Sequence, residues 1–252
     1  MDKSVYKRLI NEIDDKEIII KDIFLFLNNV VVKSRNIGVA GTCKELPINS
    51  SKRKLFPKLS YFKNKTVEEI FDSLIDTENI IERSVLLAVI NSCISIPEKY
   101  TEENSISIAR RSFKEDSKIS FIGHFPAADR LRKEGFDVNI IELEPKEGDI
   151  YYYESDHVLK NTDILFITGL TIINGTFNDI LKKTKEDCIR VLMGPSVPLS
   201  PVFLELGIHI VGGSIVKDEE KMMEFWQCGG AGMRRAPKGA LKVASLIDHQ
   251  ML

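Results

Sequence analysis

The sequence lacks the features that mark several large classes of protein. Its 252 residues include 35 lysines and arginines against 37 aspartates and glutamates, a net charge of −2. There is therefore no basic excess to suggest nucleic-acid binding and no acidic tail to suggest a disordered partner segment. The longest apolar runs, such as Val85 to Ile90, are far too short to span a bilayer, and the charged N-terminus lacks the apolar stretch of a signal peptide. These absences predict a cytoplasmic protein that binds neither membranes nor nucleic acids.

Local metal-binding motifs are also missing. The sequence contains no C-x-x-C, no H-x-x-x-H and no acidic loop of the calcium-binding type. Its four cysteines are scattered, and in a cytosolic chain of this size they are expected to be reduced thiols: Cys43, Cys93, Cys188 and Cys228. A metal would therefore need ligands from several loops, or would arrive already bound to an organic chelator.

Residues 1–108 have the pattern of a small α+β domain. An amphipathic helix is predicted near Val5 to Ile13, and capping residues at Thr66 and Asn79 predict the starts of two further helices. The second of these is apolar on nearly all sides, so Asn91 within it needs a partner from the backbone or from a ligand. Polar loops are predicted at 47–65 and 97–107, and strands at 17–26, 29–32 and 37–40.

Residues 109–252 have a more regular pattern, in which continuous apolar runs alternate with short helical segments. Continuous apolar strands that alternate with helices indicate a parallel sheet covered on both faces, and hence an α/β fold. The predicted strands are 119–122, 138–141, 164–167, 189–192 and 208–211, and the predicted helices are 127–133, 155–159, 177–183 and 201–206.

The residues that follow these strands predict a ligand site, because ligands of parallel sheets bind beyond the carboxyl ends of the strands. Four of the five strand ends carry glycine, which lets a backbone approach a ligand closely. Together with Asn91, the predicted ligand-binding residues are Gly123, His124, Glu142, Thr168, Gly169, Thr171, Asn174, Gly194, Pro195, Ser196, Gly212 and Gly213.

Each of these motifs also has a plainer interpretation. Gly123 and Glu142 are spaced like a dinucleotide-binding glycine turn and its ribose-binding acid, but two glycines of that turn are missing. Glu142 therefore either touches a nucleoside-like ligand or caps a strand end. His124 is either an acid, a base or a metal ligand, or it is structural. The segment TGLTIINGT, from Thr168 to Thr176, either binds a polar ligand or satisfies its own turn and helix cap.

Two further segments are candidates for anion binding. Ser196, in Gly194-Pro-Ser-Val-Pro198, has an N–H and a hydroxyl near a helix start, but no neighbouring base that would make it a nucleophile. The glycine-rich segment from Cys228 to Gly239 carries Arg234, Arg235 and Lys238. It is either a loop that closes over an anionic ligand or a surface connection.

The order of the motifs resembles a bacterial and archaeal family of unknown function that is labelled for heavy-metal chelation. The resemblance rests on GHFP, IE, TGLTIINGT, MGPSVP and VGGS in the second half, and on IGVAGT and ERSVLLAVINS in the first. It implies a domain similar to the enolase N-terminal domain, then a Rossmann-like domain, with the site between them and Asn91 opposite the strand-end loops. It also implies a transition metal or a metal chelate as the bound group.

Three functional hypotheses follow. The first is a protein that binds a small polar or anionic ligand, such as a metal chelate, between its two domains. The second is an enzyme that acts on a small polar or heterocyclic metabolite at the same site, with His124 as acid or base and Ser196 and Thr168 orienting the substrate. The third is a structural role, in which the strand-end loops pack shut. A symmetric homodimer is expected only because it is the commonest assembly.

Overall fold

A computed structural model of the chain describes residues 3–42 and 59–248. Cys43, His249 and most of the predicted loop at 47–65 lie outside the described residues. The described residues form a small antiparallel sheet and a larger, mostly parallel sheet, both covered by helices. This confirms the predicted α/β fold class, although the enolase-like and Rossmann-like labels stay predictions.

The small sheet has the order β1-β2-β3 and is antiparallel throughout. The predicted side-chain caps are present: Thr66 forms a capping box with Glu69, and the Asn79 side chain accepts hydrogen bonds from the N–H groups of Ile81 and Glu82. The predicted first strand was too long, because Ile19 makes only an isolated bridge, to Thr66. The elements are α1 (Lys3–Asn11), β1 (Asp22–Leu25), β2 (Asn29–Lys33), β3 (Ile37–Gly41), α2 (Val67–Leu74) and α3 (Ile80–Cys93).

Helix α3 packs directly on β3, and Gly38 makes this close approach possible. A Cβ atom at Gly38 would lie 2.1 Å from the carbonyl oxygen of Ala88 and 2.4 Å from the backbone nitrogen of Ser92, both in α3. Since real Cβ contacts are never this short, only glycine fits here. The close packing brings Asn91 of α3 to the edge of the small sheet.

The larger sheet has the order β10-β9-β8-β7-β4-β5-β6, and only β10 runs antiparallel to its neighbour. The chain passes from β4 outward to β5 and β6 and then returns to the other side of β4 at β7, as in doubly wound folds. The elements are α4 (Ser105–Arg110), β4 (Lys118–Ile122), α5 (Pro126–Lys133), β5 (Asp137–Glu142), β6 (Ile150–Tyr151), α6 (Asp156–Asn161), β7 (Ile164–Thr168), α7 (Leu170–Asn174), α8 (Phe177–Lys183), β8 (Ile189–Met193), α9 (Val202–Glu205), β9 (Ile210–Val216), α10 (Glu219–Gln227) and β10 (Leu241–Ile247). Single 3₁₀ turns lie at Leu59–Tyr61, Tyr152–Glu154 and Met233–Arg235.

The prediction for the last parallel strand was wrong in its bounds. Gly212 and Gly213 do not follow the strand but lie within β9, where they pair with Ser245 and Ala244 of β10. Glycine normally weakens a strand, but it can mark a place where another group approaches the backbone closely. Here a Cβ atom on Gly212 would lie 1.8 Å from the hydroxyl oxygen of Ser105, the first residue of α4, and so within the predicted linker.

One buried apolar cluster extends through both sheets. It includes Val5 of α1, Val85 of α3, Leu165 of β7 and Leu246 of β10. The predicted domain boundary between residues 108 and 109 stays a prediction, since the two units share this core. No helix among the described residues is long and apolar enough to cross a membrane.

Candidate functional site

A cleft of about 590 Å³ lies between the small sheet and the carboxyl end of the parallel sheet. Its first wall is formed by the β2–β3 turn and the end of α3, and its second wall by the loop after β8 and the end of β9. The described residues that line it are Lys21, Lys33, Ser34, Arg35, Asn36, Ile37, Val39, Asn91, Ile94, Ser95, Ile96, Pro195, Val197, Leu199, Ser214, Ile215, Val216, Lys217 and Glu219. Its volume falls in the range of small-molecule sites.

The cleft combines apolar and polar lining. Val39, Val197 and Leu199 are buried apolar side chains of this lining. Ser214 also lines the cleft, and its hydroxyl has no hydrogen bond to any described residue. A second, small pocket of about 20 Å³ shares Pro195 and Ser214 and reaches toward Met222, Phe225 and Trp226. The cleft therefore suits a ligand with both an apolar and a polar part.

The charge of the lining is positive, since four cations meet one carboxylate there. Arg35 is occupied: it donates to Asp14 at 2.6 Å and to the hydroxyl of Ser95 at 2.7 Å. The hydrogen bond from Arg35 is the main reason that the pKa of Asp14 lies below its ordinary value. Lys33 forms an ion pair with Glu219.

Lys21 and Lys217 are the remaining two cations, and both are exposed. Over residues 3–42 and 59–248, neither has a carboxylate within ion-pair distance. Lys21 precedes β1 on the first wall, and Lys217 follows β9 on the second. Each wall of the cleft therefore has one lysine without a carboxylate partner among the described residues.

Asn91 joins the two walls of the cleft. Its amide nitrogen donates to the carbonyl oxygens of Val39 at 2.9 Å and Ser196 at 3.2 Å. Because both partners are acceptors, the orientation of the amide follows from the hydrogen bonds. The predicted polar partner is thus the backbone, and the side-chain oxygen of Asn91, in the cleft lining, accepts no hydrogen bond from the described residues.

Ser196 is part of a second, closed contact between the two units. It is 3% exposed, and its hydroxyl accepts a hydrogen bond from the N–H of Gly41 in β3 at 2.8 Å. Gly41 in turn lies against Leu170, and Gly169 lies against Ser196 and Val197. We call this contact the seam and define it as Gly41, residues 168–176 and Ser196.

The predicted ligand-binding segment TGLTIINGT lies in the seam and forms α7 with its flanking turns. Thr171 is fully buried, and its hydroxyl donates to the carbonyl oxygen of Thr168 at 2.8 Å. The side-chain oxygen of Asn174 accepts from the N–H and the hydroxyl of Thr176, at 3.0 and 2.8 Å. These polar groups are therefore satisfied locally, as turn and cap chemistry requires. Their assignment as ligand-binding residues stays a prediction that this geometry does not favour.

His124 also lies at the carboxyl end of the parallel sheet. It is in the turn after β4, away from the cleft at β8 and β9. Its backbone N–H donates to Glu142 at 2.9 Å, so Glu142 caps this turn. Its ring Nε2 lies 2.6 Å from a carboxylate oxygen of Asp149, whose side chain is 3% exposed, whereas that of His124 is 36% exposed. Burial acts to raise the pKa of Asp149, but hydrogen bonds from the Lys146 N–H and from His124 outweigh it and hold that pKa below its ordinary value.

The cleft and the His124 edge are separate. Neither Gly123, His124 nor Glu142 is among the described residues that line the cleft. Strand β4 is two positions away from β8 in the sheet, roughly 10 Å, because neighbouring strands lie about 4.8 Å apart. The structure thus distributes the predicted residues: Asn91 and Pro195 line the cleft, the residues of 168–176 and Ser196 lie in the seam, and His124 and Glu142 lie at the β4–β5 edge.

The other candidate groups lie elsewhere. His157 is exposed on α6, and the half-buried His209 accepts a hydrogen bond from the N–H of Arg190. The segment from 228 to 239 is docked on the β1–β2 turn, where Asn28 donates to the carbonyl oxygen of Gly229 at 3.1 Å. Its cations are exposed, and none of them is among the described lining residues of the cleft.

Sequence reasoning missed the residues that give the cleft its charge: Lys21, Lys33, Arg35, Lys217 and Glu219. They are ordinary charged residues at strand ends and turns, with no motif to distinguish them. The one available signal was their position, because Lys21 and Lys33 flank the hairpin of β1 and β2, and Lys217 follows the last strand of the predicted rim.

Comparisons with known proteins agree with this two-part architecture. The DUF364 family model, described as "Putative heavy-metal chelation", matches residues 107–245, and the DUF4213 model, with the same description, matches residues 6–94. The first match alone covers more than half of the chain. The chain belongs to this family.

The relatives described next give no more specific function in their names. An uncharacterized protein of Methanocaldococcus jannaschii is 28% identical over 178 residues, which cover 68% of each protein. A crystal structure of a DUF364-family protein of unknown function from Desulfitobacterium hafniense superimposes with a TM-score of 0.80, and one from Pyrococcus horikoshii with 0.77. Both are 20% identical and cover 97% of this chain and 98% of their own. At this identity the likeness shows the fold alone.

The family description supports metal binding only in general terms, and the described residues do not fit a metal ion held directly by protein ligands. No group of three or more His, Cys, Asp or Glu residues suited to a metal occurs within residues 3–42 and 59–248. Burial raises the pKa of Cys188 to about 12 and also raises the pKa of Cys93. The cleft is lined mainly by cations and apolar groups, which suit an anion.

Proposed function

We propose that the protein binds a small anionic ligand with an apolar part in the cleft between its two units. The observation that carries this proposal is that Lys21 and Lys217, on opposite walls of the cleft, have no carboxylate partner among the described residues. A charged group in a cleft with low-dielectric walls focuses its field on the ligand. An acidic ligand therefore gains from both walls when it binds.

Neutral groups in the cleft add specificity to this attraction. The hydroxyl of Ser214 and the amide oxygen of Asn91 have no hydrogen-bond partner among the described residues and are available to a ligand. Val39, Val197 and Leu199 provide apolar surface beneath them. A ligand with carboxylate or phosphate groups on a compact carbon skeleton satisfies all three features.

The family description refers to metal chelation, and this fits the cleft when the metal is bound within an anionic chelate. Ammonium groups repel a free cation, but they attract a complex whose chelator carries excess negative charge. In this form the chelator supplies the metal ligands, and the protein supplies cations and hydrogen bonds to the outside of the complex.

Native mass spectrometry of the protein as purified, combined with elemental analysis, is the first test of this function. A co-purified acidic organic mass, with or without a stoichiometric metal, would support the proposal. A stoichiometric metal that remains bound without any organic mass would oppose it, because the protein itself would then provide the coordination.

A binding measurement on variants tests the role of Lys21 and Lys217 directly. Isothermal titration calorimetry at low salt would use citrate and its nickel complex as probes, against wild type and the double variant Lys21→Met/Lys217→Met. We expect binding to weaken at least tenfold in the double variant. The matched control is Lys133→Met/Lys160→Met, which removes two exposed lysines remote from the cleft and should stay within twofold of wild type. Equal affinity in all three proteins would refute the cleft assignment.

A second candidate function is catalysis with His124 as acid or base. The observation that favours it is that His124 is exposed and its ring is hydrogen-bonded to the buried carboxylate of Asp149, an arrangement that orients a catalytic imidazole. Since β4, the strand before His124, is two positions from β8, roughly 10 Å away, a substrate held in the cleft must extend across two strands to reach His124. NMR of the His124 ring tests this: a shift on addition of citrate supports contact, and an unchanged signal at saturation excludes His124 for that ligand.

A further inference from the structure

Glu219 is the one carboxylate among the described residues that line the cleft. It opens α10 on the second wall and forms an ion pair with Lys33, which ends β2 on the first wall. The pair therefore crosses the cleft from one unit to the other. A carboxylate in this position is the group that an acidic ligand would have to replace.

The ion pair is weak enough to be replaced. Its side chains are 23% exposed for Lys33 and 48% exposed for Glu219, and pairs with this exposure contribute little net stability. Lys33 is also held independently of Glu219, because its ammonium group lies 5.4 Å from the centre of the Phe24 ring. Removal of Glu219 would thus leave Lys33 in place as a third uncompensated cation of the cleft.

We propose that Glu219 is a built-in counterion that makes the cleft selective for ligands with two or more negative charges. With no ligand bound, Glu219 neutralises Lys33. A polyanion displaces Glu219 and gains contact with Lys21, Lys33 and Lys217 together. A monoanion contacts too few of these groups to offset its repulsion by Glu219. This inference rests on the proposed function and names the ligand class within it.

The magnitude of the effect follows from Coulomb's law. A carboxylate about 5 Å from one ligand charge in a water-like dielectric changes affinity roughly fourfold. A monoanion leaves Glu219 in place and bears this repulsion, whereas a polyanion displaces Glu219 and avoids it. Replacement of Glu219 by glutamine should therefore strengthen the binding of a monoanion more than that of a trianion.

The test compares Glu219→Gln with wild type by calorimetry at low salt, with acetate, succinate and citrate as probes of one, two and three charges. Glu220→Gln is the matched control, because Glu220 is also in the first turn of α10 but is not among the described lining residues. We expect Glu219→Gln to bind acetate about fourfold more tightly than wild type, and succinate and citrate by smaller factors, so that the preference for citrate over acetate falls. Glu220→Gln should stay within twofold for every probe.

The outcomes separate this inference from the proposed function. If wild type binds citrate, and Lys21→Met/Lys217→Met weakens this binding, while Glu219→Gln leaves the affinity for acetate unchanged or lowers it, the counterion role is wrong and the anion site stands. Equal strengthening of all three probes would also overturn charge selectivity. If neither wild type nor Glu219→Gln binds any of the three probes, both the proposed function and this inference fail.

Discussion

The cleft and the seam lie side by side at the carboxyl end of the same parallel sheet, yet they are built in opposite ways. The seam is rich in hydroxyl and amide side chains, and its Thr171, Asn174 and Ser196 are engaged in hydrogen bonds within the protein. The cleft lining also includes hydroxyl and amide residues, but the side chains of Ser214 and of two lysines there have no partner among the described residues. The seam holds the two units together, and the cleft leaves space between them.

This difference teaches that a dense run of polar residues at a strand end does not by itself mark a ligand site. Buried polar groups need partners, and a contact between two units consumes hydroxyl and amide groups as readily as a ligand does. The better indication of a site is a polar or charged group whose partner is missing within the fold.

Among the variants that test this difference between cleft and seam, Ser196→Ala in the seam should have the largest effect on stability. Loss of the hydroxyl leaves the N–H of Gly41 without its acceptor in a buried contact, which costs about 1–3 kcal/mol. Urea unfolding should show this loss of stability, while citrate binding to the folded protein changes little. Ser112→Ala is the control, since the Ser112 side chain has no hydrogen bond to a described residue. A variant of full stability that loses citrate binding would move Ser196 from the seam to the site.

Thr171→Val probes the middle of the seam with a smaller change. Valine keeps the shape of threonine but removes the hydrogen bond to the carbonyl oxygen of Thr168 at 2.8 Å. We expect stability to fall by about 1 kcal/mol and citrate affinity to stay within twofold. Unchanged stability together with weaker binding would support the sequence-based assignment of Thr171 to a ligand.

Much of the fold was predictable because its signals are local. Thr66 and Asn79 cap helices as predicted, and the continuous apolar runs of β4, β7 and β8 are the interior strands of a parallel sheet. The strand β10 was missed, and β9 was ended too early at its glycines. The early end predicted for β9 has a tertiary cause, since the fit of Ser105 against Gly212 is a contact that no local pattern reports.

Less of the candidate site was predictable. Asn91 was found because an amide in an apolar helix demands a partner, and its partners proved to be Val39 and Ser196. Lys21 and Lys217 were not found, because a lysine has no distinguishing feature in the sequence until the fold shows that no carboxylate of residues 3–42 and 59–248 pairs with it. Such an absence depends on the whole tertiary structure, so the sequence alone could not distinguish these two lysines from the other cations of the chain.

The pH dependence of stability tests His209, a residue that contributes to the fold and is not among the described lining residues of the cleft. Burial, aided by the nearby cation of Arg190, lowers the pKa of His209 below its ordinary value of about 6.5. The unfolded chain then binds more protons than the folded protein, so this contribution to stability is complete above about pH 6.5 and declines as the pH falls below it. The slope cannot exceed about 1.4 kcal/mol per pH unit, the value for one proton. Urea unfolding between pH 7.5 and 5.5 should show the decline, and His209→Asn should flatten it. An equal decline in the variant would assign the effect to another group.

The smallest effect on citrate affinity is expected at the third region, the turn after β4 that contains His124. The result decides whether this region and the cleft form one ligand site. His124→Gln keeps a group that can donate to Asp149 but removes the imidazole. Because His124 lies roughly two strand spacings from the loop after β8, citrate affinity should remain within twofold of wild type. Asp149→Asn, which changes the partner and keeps the ring, should give the same result. If both variants weaken citrate binding, the ligand reaches across the sheet end, and the cleft and the His124 edge form one site in which an oriented imidazole adjoins a bound acid.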